Sequence, residues 1–118
     1  MRPVRSALRF AACAAVVASA LTACVTKSNV VLIGTPMITP NPVPIGTKFT
    51  ILVGVIDAIG CPQASIKVTY NGNTVSTKNV SIAGQYKDSV TALSSGTVSA
   101  TGTCGSAIQV SNELVTVN

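Results

Sequence analysis

An all-β fold, an antiparallel sandwich of about seven short strands, is what this sequence predicts, and three observations carry the prediction. Beyond residue 30 the chain runs in short segments where β-branched or aromatic residues alternate with Thr, Ser and Lys, the period of a half-buried strand. The segments are separated by Gly, Pro, Asn-Gly or Ser-Gly, residues that turn a chain. No stretch after residue 23 keeps the 3.6-residue apolar period of a helix. A closed barrel is the alternative arrangement of the same elements.

The first strand spans Val30 to Ile38, interrupted by Gly34 and Pro36 and followed by Pro40-Asn41-Pro42-Val43-Pro44. Proline has no amide hydrogen to give a ladder, so this strand belongs at a sheet edge. Thr47 to Asp57 is the strongest strand signal, with Phe49, Ile51, Val53 and Val55 on the face expected in the core. After a turn containing Cys61, the residues Ile66, Val68 and Tyr70 alternate with Ser65, Lys67 and Thr69, and Asn71-Gly72 closes the strand as a tight hairpin. Thr74 to Ile82 is a weaker strand or pair of strands, and Tyr86 to Leu93 resumes the pattern after Gly84. Thr97 to Cys104 places Val98, Ala100, Gly102 and Cys104 on a narrow inner face. The last strand, Ala107 to Val117, is expected to bulge near Ser111-Asn112, where the alternation slips.

Residues 1 to 23 read as an export signal: Arg2, Arg5 and Arg9, an apolar stretch from Phe10 to Leu21 broken by Ser19, then small residues. Within it Leu21-Thr22-Ala23-Cys24 resembles the lipobox of bacterial lipoproteins. That resemblance implies cleavage before Cys24, diacylglycerol on its thiol, and a mature domain exported and held at the cell membrane or outer membrane. The division is then a signal peptide at 1–23, a lipidated tether at 24–29 and a domain at 30–118. Ala18-Ser19-Ala20 also fits an ordinary signal-peptidase site, which would release a soluble chain with a free thiol. With Cys13 lost in the leader and Cys24 acylated, Cys61 and Cys104 remain as an even pair for one disulfide in an oxidising compartment. They follow the second strand and end the sixth, places that meet at one end of a seven-stranded Greek key.

Pro44-Ile45-Gly46-Thr47, Tyr70-Asn71-Gly72, Gly84-Gln85-Tyr86, Ser95-Gly96-Thr97-Val98-Ser99-Ala100 and Val115-Thr116-Val117, in that order, resemble the bacterial immunoglobulin-like, cell-adhesion-related domains. The resemblance covers Pro40 to Val117 and implies an immunoglobulin-like sandwich. The chain departs from antibody-type domains in having no tryptophan.

Composition narrows the chemistry. The net charge of +5 falls to +2 without the leader's arginines, and the remaining lysines are scattered, which disfavours a nucleic-acid partner. With no histidine in the sequence, a Ser-His-Asp triad, a Cys-His dyad and a histidine-bound zinc are impossible. Ser65 with Lys67 and Ser76 with Lys78 are spaced for one wet strand face rather than for Ser-x-x-Lys chemistry. Asp57, Asp88 and Glu113 are scattered, so an enzyme would need a pocket that gathers them. Tyr86, next to Gly84 and Lys87, is the one aromatic to test for exposure, and Tyr86 and Lys87 are the candidate binding residues.

The function these features predict is a membrane-anchored, non-enzymatic lipoprotein without a cofactor, whose immunoglobulin-like domain contacts a protein or envelope polymer through loops at the disulfide end. The alternatives are a small inhibitory or exclusion lipoprotein acting on an envelope enzyme or channel, or a structural spacer. The anchor has a direct test: metabolic labelling with a fatty acid marks the wild type and not Cys24→Ser, and equal labelling of both rejects acylation at that thiol.

Overall fold

The computed structural model describes residues 28–118; the leader, Cys13 and Cys24 lie outside the described residues. Eight strands follow in order: β1 (Val30–Ile33), β2 (Met37–Thr39), β3 (Lys48–Ile59), β4 (Ala64–Tyr70), β5 (Asn73–Val80), β6 (Gln85–Thr91), β7 (Gly96–Cys104) and β8 (Ala107–Val115). They form two antiparallel sheets. In one, β3 is central, with β1 and β2 along one side and β6 along the other; the second runs β5-β4-β7-β8. The fold is therefore all-β and two-layered as expected, with one strand more than the sequence suggests. The extra strand arises because Gly34-Thr35-Pro36 splits the first edge strand into β1, paired to the far half of β3, and β2, paired to its near half.

The odd-numbered face of β3 is buried throughout: Phe49, Ile51, Val53 and Val55 pack against Ile66, Val68 and Tyr70 of β4 and Val98 and Ala100 of β7. Phe49 and Tyr70 meet edge to face, ring centroids 5.3 Å apart, the arrangement that aromatic quadrupoles favour. The Tyr70 hydroxyl donates to the Ser94 carbonyl and accepts from the Leu93 and Ser94 amides, which fixes the β6–β7 loop to the core. Asn71-Gly72 makes the expected β4–β5 hairpin, both residues at positive φ. At Gly102 of β7 a Cβ would stand 2.8 Å from Ile33 Cγ2, so the small residue admits β1 against the second sheet.

β8 runs straight. Its pairing with β7 is continuous from Gly96–Val115 to Cys104–Ala107, so the bulge expected at Ser111-Asn112 is absent. The alternation slips in sequence for another reason: inward-parity positions on this edge strand face the rim rather than the core, and carry polar side chains. Gln109 is one, its side-chain oxygen accepting the Ile33 amide at 2.6 Å. The irregularities lie instead between Leu32 and Ile33 of β1 and between Val68 and Thr69 of β4, opposite β5.

Cys61, just past β3, and Cys104, at the end of β7, form a disulfide with Cα atoms 5.7 Å apart, tying the sheets together at one end. A crosslink across 43 residues of sequence restricts the unfolded chain by about 4 kcal/mol on the loop-entropy estimate. The Cys61→Ser/Cys104→Ser double variant should lose about that much unfolding free energy in urea; an unchanged midpoint and slope would show that the bridge adds nothing.

Candidate functional site

The two sheets do not close on each other at β5 and β6. These are the edge strands of opposite sheets, they lie side by side, and no ladder joins them. The seam is a cleft of about 420 Å³. Tyr70, Val75, Val90 and Leu93 give it an apolar wall, and Asn73 and Asp88 stand among its polar groups.

A bulge sets which side chains enter the seam. Tyr70 pairs with Asn73 and Thr69 with Thr74, but Val68 pairs with Ser76, leaving Val75 as an extra residue. The skip returns Ser76 and Lys78 to the inward parity of Val68 and Ile66. In β6 the residues Tyr86, Asp88 and Val90 pair with Val53, Ile51 and Phe49 and share their inward parity. Polar groups from two edge strands therefore converge beside the core.

Ser76 is the hub. Its hydroxyl donates to Asp88 Oδ2 at 2.6 Å and lies 2.6 Å from the Tyr86 hydroxyl. A serine has one proton to give, so with it committed to the carboxylate the phenol donates to Ser76. The Ser89 amide donates to Asp88 Oδ1 at 2.8 Å. Lys78 Nζ donates to the Lys87 carbonyl at 2.7 Å, stands 3.9 Å from Asp88 Oδ2 and 5.5 Å from the Tyr86 ring centre.

These contacts set the ionisation. The Ser76 hydroxyl, then the Ser89 amide, hold the Asp88 carboxyl below its usual value, with smaller help from Lys78 and Lys48. Burial raises the Tyr86 phenol; the Ser76 bond opposes that and the Asp88 charge adds to it. The group thus presents a fixed carboxylate acceptor backed by a neutral phenol. Asp88 favours the fold above the ordinary carboxyl range, a contribution lost as pH falls through its lowered folded value. Tyr86 favours the fold below the ordinary phenol range, a contribution lost as pH rises through its raised folded value.

Several expected site residues sit elsewhere than the sequence suggests. Tyr86 is fully buried, not a surface aromatic, because its inward parity opposite Val53 puts the ring in the core. Lys87, pairing with Leu52, is exposed on the outer face. Ser76 is half-buried and bonded on two sides rather than one of a wet Ser-Lys row. Cys61 and Cys104 are joined as expected, and Cys24 lies outside the described residues. Asp57 and Glu113, on β3 and β8, are not brought to Asp88 on β6. Ser76 and Asp88 are the site residues that sequence reasoning missed. A signal for Asp88 is present: an acid between Tyr86 and Val90 at the parity that faces the core.

The described residues build a two-sheet antiparallel β framework. Among solved structures the chain is similar to the superoxide reductase (neelaredoxin) of Ignicoccus hospitalis, at 14% identity and TM-score 0.55, over 73% of this chain and 82% of that one. Two single-substitution variants of that enzyme align alike, at 14% and 15% identity with TM-scores of 0.56 and 0.53. No protein-family model and no curated protein matches the sequence.

This finding corrects the functional expectation. The solved structures that share the framework are redox enzymes rather than immunoglobulin-like adhesion domains, so the reading as a non-enzymatic module for protein or polymer contact does not stand. Its inhibitor and spacer alternatives and the exclusion of enzyme activity fall with it. Superoxide reduction requires a group that delivers an electron, and the residues here do not fit a resident redox metal. Histidine is absent from the sequence, both described cysteines are in the disulfide, and no three His, Cys, Asp or Glu side chains cluster among the described residues. The shared property is the framework, and no step is routed through a metal.

Replacing Ser76 with Ala removes the first support of Asp88 and the acceptor of Tyr86. The Asp88 carboxyl should titrate closer to the ordinary value of 3.8, and the stranded phenol should cost about 1–3 kcal/mol of stability. Carboxyl NMR titration and urea unfolding measure both; an unmoved Asp88 titration contradicts the assigned bond.

Proposed function

We propose that this chain is an exported lipoprotein that presents a superoxide reductase-type β framework at a membrane surface and handles a small molecule in the β5–β6 cleft. The lipobox-like Leu21-Thr22-Ala23-Cys24 supports export and anchoring. Two or more acyl chains at about 0.8 kcal/mol per buried methylene hold a protein stably, where one chain is marginal.

The observation that carries the small-molecule reading is the inward Asp88, whose carboxylate is oriented by Ser76 and Ser89 and still borders the open cleft. Tyr70, Val75, Val90 and Leu93 supply apolar lining, and Asp88 is the one carboxylate among the lining residues. That chemistry suits a compact ligand with an apolar body and a hydrogen-bond donor, preferably an ammonium. Lys78 and Lys48 temper the preference for positive charge without cancelling the acceptor.

Benzylammonium, benzyl alcohol and benzoate share a body and differ in the group offered to Asp88. The expected order of affinity is ammonium, then alcohol, then benzoate, with NMR shift changes at Asn73, Val75, Val90 and Leu93. Asp88→Asn should weaken benzylammonium by about two- to fivefold, the scale of a partly screened charge, and leave benzyl alcohol nearly unchanged. Shifts elsewhere on the domain, or benzoate as the tightest of the three, would overturn the assignment.

A further inference from the structure

The end of the sandwich that carries the tether also carries an apolar rim. Val30 of β1 pairs with Ile59 of β3, both side chains exposed, and Leu32 pairs two residues further along with Asp57. Ile56, left out of register by the irregularity in β1, is exposed beside them. On β8 the exposed Ile108 and Val110 begin at the same end, directly after the Cys104–Ala107 pair. Asn29 joins the two groups: its amide nitrogen donates to the Gly60 carbonyl at 3.4 Å and its oxygen accepts from the Ser106 hydroxyl at 3.4 Å. The start of β1 is thus fixed between the exit of β3 and the β7–β8 turn, beside the disulfide.

Nothing in the fold requires large aliphatic groups there. Away from this rim the water-facing strand positions are mainly polar, as at Thr77, Asn79, Lys87 and Ser89, with Met37 and Leu114 the exposed aliphatic exceptions. The rim carries one acid, the half-buried Asp57, and Lys67 stands in the row of Val110 across Thr101. A lysine flanking an aliphatic edge suits the boundary between acyl chains and phosphate headgroups.

We infer that this rim is a lipid-docking edge: when Cys24 is acylated, Ile59, Ile108 and their neighbours enter the headgroup region and hold the domain end-on, with the opposite end turned away from the membrane. The inference rests on the anchor reading proposed above, and chain length ties the two. From Cys24 to Asn29 there are five residue steps, at most about 18 Å when fully extended, so the end bearing Asn29 cannot leave the bilayer surface. An apolar edge held at that distance meets lipid before any soluble partner, and burial to about 5–10 Å, the depth usual for interfacial side chains, covers it. Leu114 lies on the same strand as Ile108 six residues away, about 20 Å along it, and stays in water.

The absence of tryptophan from the sequence makes the test clean. The full chain is produced with its lipid in the Ile108→Trp, Ile59→Trp and Leu114→Trp variants and reconstituted into phosphatidylethanolamine/phosphatidylglycerol vesicles with brominated acyl chains, and acylation of Cys24 is read by mass on the same samples. All three positions are exposed, so the variants should fold alike. The expected result is loss of tryptophan emission at positions 108 and 59 and full emission at 114. Unquenched emission at 108 and 59 in acylated protein overturns the docking edge and leaves the anchor standing. Equal quenching at all three positions overturns the orientation. Unacylated Cys24 overturns the anchor, and the inference falls with it.

Discussion

The structure depends on one packed surface, the inward face of β3. Phe49, Ile51, Val53 and Val55 are all but inaccessible, and β3 is the strand through which the first sheet is joined, since β1, β2 and β6 each pair with it and not with one another. Burying four such side chains is worth roughly 1.5–3 kcal/mol each, comparable in sum to the whole stability of a small domain. A polar group at Ile51 or Val53 would remove the contact with β4 and β7 and the ground on which β6 is positioned.

From that constraint the cleft follows. β6 pairs with β3 along its whole length, from Lys48–Thr91 to Gly54–Gln85, and its other edge has no ladder partner. β5 lies at the edge of the other sheet, and the Val75 bulge turns its later residues back toward the seam. Two edges meet without a ladder, and Ser76, Tyr86 and Asp88 satisfy one another where backbone pairing does not. The donor order from Tyr86 through Ser76 to Asp88 is forced by the count of protons, and it keeps a carboxylate ionised next to apolar side chains.

The parts of this architecture set by local chemistry were legible in the sequence. Alternation identifies β3 and β4 and their buried faces, Asn71-Gly72 marks its hairpin, the prolines mark an edge, and Cys61 and Cys104 remain as the even pair that bonds at one end of the domain. What escaped depends on register. An extra residue in β5 cannot be seen in Thr74-Val75-Ser76, because any of the three could be the unpaired one. Ser76 and Lys78 were therefore assigned to the outer face. Gly84 and Lys87 beside it make Tyr86 a candidate for exposure, although its parity with Val90 points inward. In β8 the polar inward residues Gln109 and Glu113 mimic a slipped alternation; Gln109 accepts the Ile33 amide of the opposite sheet, a contact that no alternation pattern reveals. The resemblance to immunoglobulin-like domains draws on turn residues; the solved structures similar to this framework are superoxide reductases.

The central claim is that the bulge at Val75 directs Ser76 into the seam and so builds the site. Cross-strand nuclear Overhauser effects along β4 and β5 measure it directly. The account predicts Thr69 opposite Thr74 and Val68 opposite Ser76, with Val75 opposite nothing. An uninterrupted ladder, with Val68 opposite Val75 and Lys67 opposite Ser76, would turn the serine outward and contradict it.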